Sequence, residues 1–197
     1  MNVYEIKSNF DEFLYLIHET QDDYIATLDK EGESFKQWVE PTWVIYYPKT
    51  KKERKGKRED FNASCFFNGI LLIWEDLAKK MINEFDVTAE LLLINTPEIK
   101  EKFVFVNILG GIPAITQSFW YSSYELWAAE HMPKSLTKPV FPQLQGKFAF
   151  DKEILMRNPV FRDKKFNNCY FCTDTFVQWA KANDIKGLRF ENAGIVR

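Results

Sequence analysis

Glycine is scarce, with 8 in 197 residues. That leaves little scope for the glycine-rich loops that cradle nucleotide phosphates, and no Gly-x-Ser-x-Gly elbow or His-Glu-x-x-His pair stands in the chain. Histidine occurs only at His18 and His131, so a zinc site of ordinary composition is hard to assemble. The three cysteines are odd in number, and Met1-Asn2-Val3-Tyr4-Glu5 lacks the basic and then apolar regions of an export signal. These features together imply reduced thiols in the cytoplasm. No apolar run reaches the roughly 20 residues that span a bilayer, so no membrane contact is expected. No Ser/Gly linker and no shift of composition divides the chain, which implies one domain over residues 1–197.

What the chain does have is aromatic bulk: 18 Phe, and 16% aromatic residues within 46% hydrophobic. A chain this long buries roughly 70% of its unfolded surface and needs no staples. Charge is uneven, although the formal net is −2. Residues 11–40 hold nine acids against Lys30 and Lys36, whereas residues 49–58 hold seven cations against Glu53. The acidic stretch suits encounter with a basic protein. The basic run could touch phosphate, but it carries no aromatic on which a base could stack. It reads as a solvated loop between two strands, and nucleic acid is not an expected partner.

Periodicity gives the element order. Val3–Ile6 and Thr42–Tyr47 are predicted strands, and Phe10–Ile17 fits helix or strand. Phe66–Ile73 reads as one strand and Glu75–Phe85 as a helix. Glu90–Ile94 and Phe103–Leu109 are nearly continuous apolar runs, as expected of strands covered on both faces. Gly110-Gly111-Ile112-Pro113 breaks the chain. Phe119–Glu130 reads as a helix, Leu136–Pro142 as extended loop and Lys147–Phe150 as a strand, followed by a short turn of helix. Cys169–Cys172 then forms a strand leading to Thr173-Asp174-Thr175, where Thr173 or Asp174 can accept from a free amide at a helix start. Phe176, Trp179 and Ala180 recur on one face of the helix that follows. Such mixed order argues an α+β fold.

Two stretches share a layout. Phe67-Asn68-Gly69-Ile70-Leu71-Leu72-Ile73 aligns without a gap on Phe166-Asn167-Asn168-Cys169-Tyr170-Phe171-Cys172. In each, acids follow where a helix N-terminus favours negative charge. Any strand–turn–helix has this look, so the likeness implies two α/β units of one kind without implying a duplication.

Candidate chemistry is thin. Cys169 and Cys172 lie three apart in an apolar strand, hence on opposite faces, and read as core thiols rather than metal ligands. A Cys65/His131 nucleophilic pair stays open, because such partners meet only in the fold. Cys65 itself stands in a strand entering the core. His18 follows Leu14, Leu16 and Ile17 and reads as a packed or surface histidine. In Phe119–Trp127, helical spacing places Trp120, Tyr124 and Trp127 on one face and Phe119, Ser123 and Leu126 on another. With Tyr121, these aromatics are candidate anchors of a protein interface. Asp22, Asp23, Glu31 and Glu33 are the candidate steering acids.

Asn158-Pro159-Val160-Phe161-Arg162, the stretch YFCTDTFVQWAKAND and Gly187-Leu188-Arg189-Phe190 resemble a family of bacterial immunity proteins. These come from polymorphic-toxin and contact-dependent systems and were formerly a domain of unknown function. Asp60-Phe61 and Gly69–Leu77 occupy that family's earlier strand–helix position. The likeness spans roughly residues 60–192, with residues 1–60 a variable N-terminal part and 61–193 the family-like part; Gly110–Pro142 is particular to this chain. The resemblance implies a protein that binds and neutralises a cognate toxin domain by occlusion, with no catalytic residue, cofactor or metal. The alternatives are a small enzyme with a Cys/His or carboxylate site assembled in the fold, and a nucleic-acid-binding adaptor using residues 49–58.

Overall fold

In the computed structural model, which describes residues 1–22, 32–66, 69–118 and 148–197, two sheets face each other across a shared core. The elements in chain order begin with β1 (Val3–Ser8), β2 (Tyr15–His18), β3 (Trp43–Tyr46) and α1 (Lys51–Arg54). β4 (Ala63–Phe66), β5 (Ile70–Trp74), α2 (Glu75–Phe85), β6 (Ala89–Leu93) and β7 (Phe103–Ile108) follow. The rest are β8 (Ile115–Ser118), β9 (Phe148–Phe150), α3 (Lys152–Arg157), β10 (Val160–Asp163), β11 (Phe166–Thr173), α4 (Asp174–Ala182) and β12 (Leu188–Val196). This is a single-domain α+β arrangement. Among the described residues no helix is long and apolar enough to cross a membrane.

The four-stranded sheet runs β4-β5-β7-β6 and the six-stranded sheet β10-β11-β1-β12-β9-β8. Alternation sorts their side chains into three cores. Leu71, Ile73, Val104 and Val106 meet Ile6, Tyr170, Cys172 and Leu188 in the middle, together with Met81 of α2 and Phe176 and Trp179 of α4. Ile70, Leu72, Phe103 and Phe105 point the other way, beneath Leu16 and Trp43 of the β2–β3 hairpin. Val3, Phe161 and Phe171 form the third core with Phe148, Phe150 and Leu155. Cys169 packs toward that third core and Cys172 toward the middle one, on opposite faces of β11 as their spacing predicts.

The two units of the gapless alignment are both present. Each is a β-hairpin, a helix and a strand parallel to the one before the helix, with an antiparallel strand between: β4-β5-α2-β6 around β7, and β10-β11-α4-β12 around β1. The correspondence extends beyond the aligned strands. Leu71 and Tyr170, Leu77 and Phe176, and Leu91 and Phe190 hold matching positions against the middle core. Within it α2 and α4 touch through Phe85, whose ring lies 6.0 Å from Phe176 and 5.6 Å from Trp179.

Four expectations change. Phe66–Ile73 is not one strand: Phe66 ends β4, Ile70 opens β5 opposite it, and Gly69 between them takes a positive φ of 75°. A side chain at Gly69 would meet the Asn168 backbone at 2.9 Å, so only glycine fits this approach. Phe10–Ile17 resolves into strand only over Tyr15–Ile17, continued by His18. The basic stretch contains the helical turn α1. Thr173 stands at the N-cap of α4, but no side chain accepts from the free amides there. The Asp174 carboxylate instead accepts from the Asn2 backbone N–H at 2.7 Å and from Tyr4 Oη at 2.9 Å, tying α4 to β1. The expected helix Phe119–Glu130 and loop Leu136–Pro142 lie outside the described residues.

Candidate functional site

Of the candidate partner-binding residues, Asp22 and Glu33 are exposed. Asp23, Glu31, Trp120, Tyr121, Tyr124 and Trp127 lie outside the described residues. Glu33 belongs to the stretch 32–40, which is fastened to the four-stranded sheet rather than hanging from it. Gly110 N–H donates to the Gly32 carbonyl (3.0 Å), Asn107 Nδ2 to the Glu33 carbonyl (2.9 Å) and Trp38 Nε1 to the Leu93 carbonyl (2.6 Å). The Glu90 carboxylate accepts from Ser34 Oγ, from Phe35 N–H (3.1 Å) and from Asn107 Nδ2 (3.1 Å). Burial pushes the Glu90 carboxyl up, but these three donors outweigh it and hold it below its ordinary value.

Apolar groups stand beside these acids. Val39 is 74% exposed and Leu93 42%, with Trp38 and Phe35 half-buried between them and Phe105. The surface thus joins Glu33 and Glu40 to two bare aliphatic side chains and an indole. The sequence pointed to the acids; it gave no sign of Trp38, Val39 or Leu93. The signal available was Leu91-Leu92-Leu93, which is apolar on both faces with no charge to guard its end.

A cavity of about 320 Å³ opens elsewhere, at the seam where β1, β4 and β11 converge. Glu5, Lys7, Ser8, Cys65, Cys169 and Arg189 line it. Its charges are spent on one another: Lys7 Nζ lies 3.4 Å from Glu5 and 2.8 Å from Glu191, and Arg189 2.9 Å from Glu191 and 3.2 Å from Asp11. Burial pushes the Cys65 thiol up to about 12, so it is protonated and weakly nucleophilic at neutral pH. Cys172 is raised well above the ordinary range by the same cause. Cys169 Sγ donates to Glu5 Oε1 at 3.6 Å. His131, the partner considered for Cys65, lies outside the described residues. His18 packs on Trp43, ring centres 3.7 Å apart, and on Phe66.

The basic stretch uses part of its charge internally. Arg54 Nε donates to the Pro48 carbonyl and Lys57 Nζ to the Phe10 carbonyl. Arg58 pairs with Asp60 at 2.6 Å and lies over the Phe13 ring at 4.9 Å. Lys49, Lys52 and Lys55 remain exposed. Among the described residues no group of three His, Cys, Asp or Glu side chains is placed to hold a metal. Set against known proteins, the chain matches no protein-family model and no curated sequence.

Proposed function

We propose that this chain is an immunity protein that binds a cognate toxin domain and neutralises it by occlusion, acting in the cytoplasm without catalysing a reaction. One observation carries the reading: the stretch 32–40 is tied by five side-chain and backbone contacts to the four-stranded sheet, and so presents acids and bare apolar groups together on a fixed frame. Binding to a prearranged surface avoids the entropy of ordering a loop. Acids at its rim favour a basic partner. The suppressed Cys65 thiol and the self-neutralised cavity weigh against nucleophilic chemistry at the seam.

The test is co-expression with each protein encoded by the genes adjoining this one, in cells that such a protein kills. Protection together with an isolable complex is expected. Protection without any complex would instead favour an enzyme that removes the toxin's product or substrate. No protection at all removes the neutralising role.

A further inference from the structure

The four-stranded sheet has two edges, and they are treated differently. On β4, three of the groups that point away from β5 are taken. Ala63 N–H donates to the Lys186 carbonyl (3.0 Å), Cys65 N–H donates to Ser8 Oγ (2.8 Å), and Ser8 Oγ donates to the Cys65 carbonyl (3.0 Å). On β6 the ladder to β7 uses the residues in phase with Thr88 and Ile94, as Leu109 N–H to the Thr88 carbonyl and Ile94 N–H to the Phe103 carbonyl show. Ala89, Leu91 and Leu93 are out of that phase, so their N–H and C=O groups point off the sheet. Among the described residues, the Leu93 carbonyl finds the Trp38 indole there. One step on, Asn95 has the same outward phase and forms a parallel bridge with this chain's own residues 41–43: Asn95 N–H donates to the Pro41 carbonyl (2.9 Å) and Trp43 N–H to the Asn95 carbonyl (2.8 Å). The open part of the edge is therefore Ala89, Leu91 and the Leu93 N–H.

The other unit also takes an added segment, beyond the residues that match Ala89–Leu93. β12 stands to β1 as β6 stands to β7, and in the same ladder phase: Asn9 N–H donates to the Gly187 carbonyl, one step beyond the Lys7–Arg189 pair. On the outer side of β12, a little further along, β9 adds as a parallel strand through Phe148, Ala149 and Phe150. Gly194 corresponds to Asn95 in the gapless alignment, so both units take an added parallel segment from within this molecule at the same place. Among the described residues the edge at Ala89, Leu91 and the Leu93 N–H stays uncovered.

We infer that β6 is a strand-addition edge, and that its occupant is an extended, basic segment of the partner protein. The inference rests on the neutralising reading and deepens it by naming the part of the partner that docks. The commitment to a basic segment follows from charge: Asp86, Glu90, Glu33, Glu40, Glu98 and Glu101 lie on β6 or on the stretches adjoining it, against Lys36, Lys100 and Lys102. A second copy of this chain would bring the same acids together. Main-chain bonds supply affinity in such pairing, while Leu93 and Val39 offer apolar contact for alternate side chains of the incoming strand.

The test uses a catalytically inert form of the toxin that the co-expression identifies. Amide exchange at Ala89, Leu91 and Leu93 is read in the free protein and the complex, and affinity is measured for Leu93→Pro and Leu93→Val. Proline removes only an outward N–H and is tolerated on an edge strand, whereas valine keeps the N–H. The expected result is at least about tenfold slower exchange at the three amides on binding. Leu93→Pro should weaken the complex at least about tenfold and Leu93→Val hardly at all. If Leu93→Pro does not fold, exchange in the wild-type protein decides. Unchanged exchange in a tight complex overturns the edge assignment and leaves the neutralising reading intact. Failure of the wild-type protein to bind overturns both. A wild-type dimer that Leu93→Pro dissociates would make the occupant a second copy and overturn the basic partner.

Discussion

Tyr170 shows how one side chain joins the two sheets. Its hydroxyl donates to the Val106 carbonyl on the facing sheet and accepts from Arg162 Nη2. Arg162, fully buried, also donates to the Gly69 carbonyl at 2.8 Å and lies over the Tyr170 ring at 4.4 Å. Tyr170→Phe should therefore cost about 1–3 kcal/mol, because it leaves a buried carbonyl without its donor; chemical denaturation measures it. Glu90→Ala should cost about 1–2 kcal/mol at neutral pH through its lost charged hydrogen bonds. The native carboxylate is favoured by its three donors, so this contribution is complete above the unfolded pKa. It disappears as pH falls through the lowered native one. Denaturation of both proteins across acidic pH should show their stabilities converging. Strand alternation was enough to place Cys169 and Cys172 on opposite faces. It could not show Arg162 buried, since a run such as Val160-Phe161-Arg162 gives no hint that a tyrosine eight residues on, with a carbonyl of the β4–β5 turn, will receive the guanidinium.

Among the elements, the helix pair locks the middle core. Trp179 is 5% exposed, stacks on Phe176 at 5.5 Å and donates through Nε1 to Glu84 on the other helix at 2.8 Å. Trp179→Ala should destabilise by about 3–5 kcal/mol, read by thermal or chemical unfolding. Both helices were legible because their apolar residues recur at helical spacing beside acids at the N-terminus. The opening hairpin of each unit was less so. Phe66–Ile73 looked like one strand because apolar residues flank Asn68-Gly69 on both sides, yet that dipeptide is itself the strongest short-range mark of a hairpin reversal. β4 was legible as the strand around Cys65 but not as separate from β5, whereas β10 was missed: Val160–Asp163 is four residues, too short for a period to register. The closing of the β4 edge by Ser8 was beyond reach, since it joins residues far apart in the chain.

Across the whole molecule, the uneven charge of the sequence survives as exposed acids at Asp22, Glu33 and Glu40 and exposed lysines at Lys49, Lys52 and Lys55. Reversing Asp22 and Glu33 to lysine together should slow association with a basic toxin domain severalfold, leave dissociation nearly unchanged and flatten the salt dependence of the on-rate. Stopped-flow mixing at two ionic strengths measures all three. The general class, α+β with two similar units, was readable from element order alone. Their mutual placement was not, because the second unit borrows its inner strand from the far end of the chain: Val3 pairs with Thr173 on one side and Gly194 on the other. That borrowing sets an order of assembly during synthesis. A ribosome releases β1 first and its neighbours last, whereas the first unit has all four strands once Ile108 has emerged. The early half can take shape while the rest is still being made. β1 must wait, unpaired, for nearly the whole chain, and loop closure over such a distance is slow. Newly made protein should therefore pass through a stage in which the β6 edge is finished but the six-stranded sheet is open, a stage at which chaperones would find exposed apolar strand.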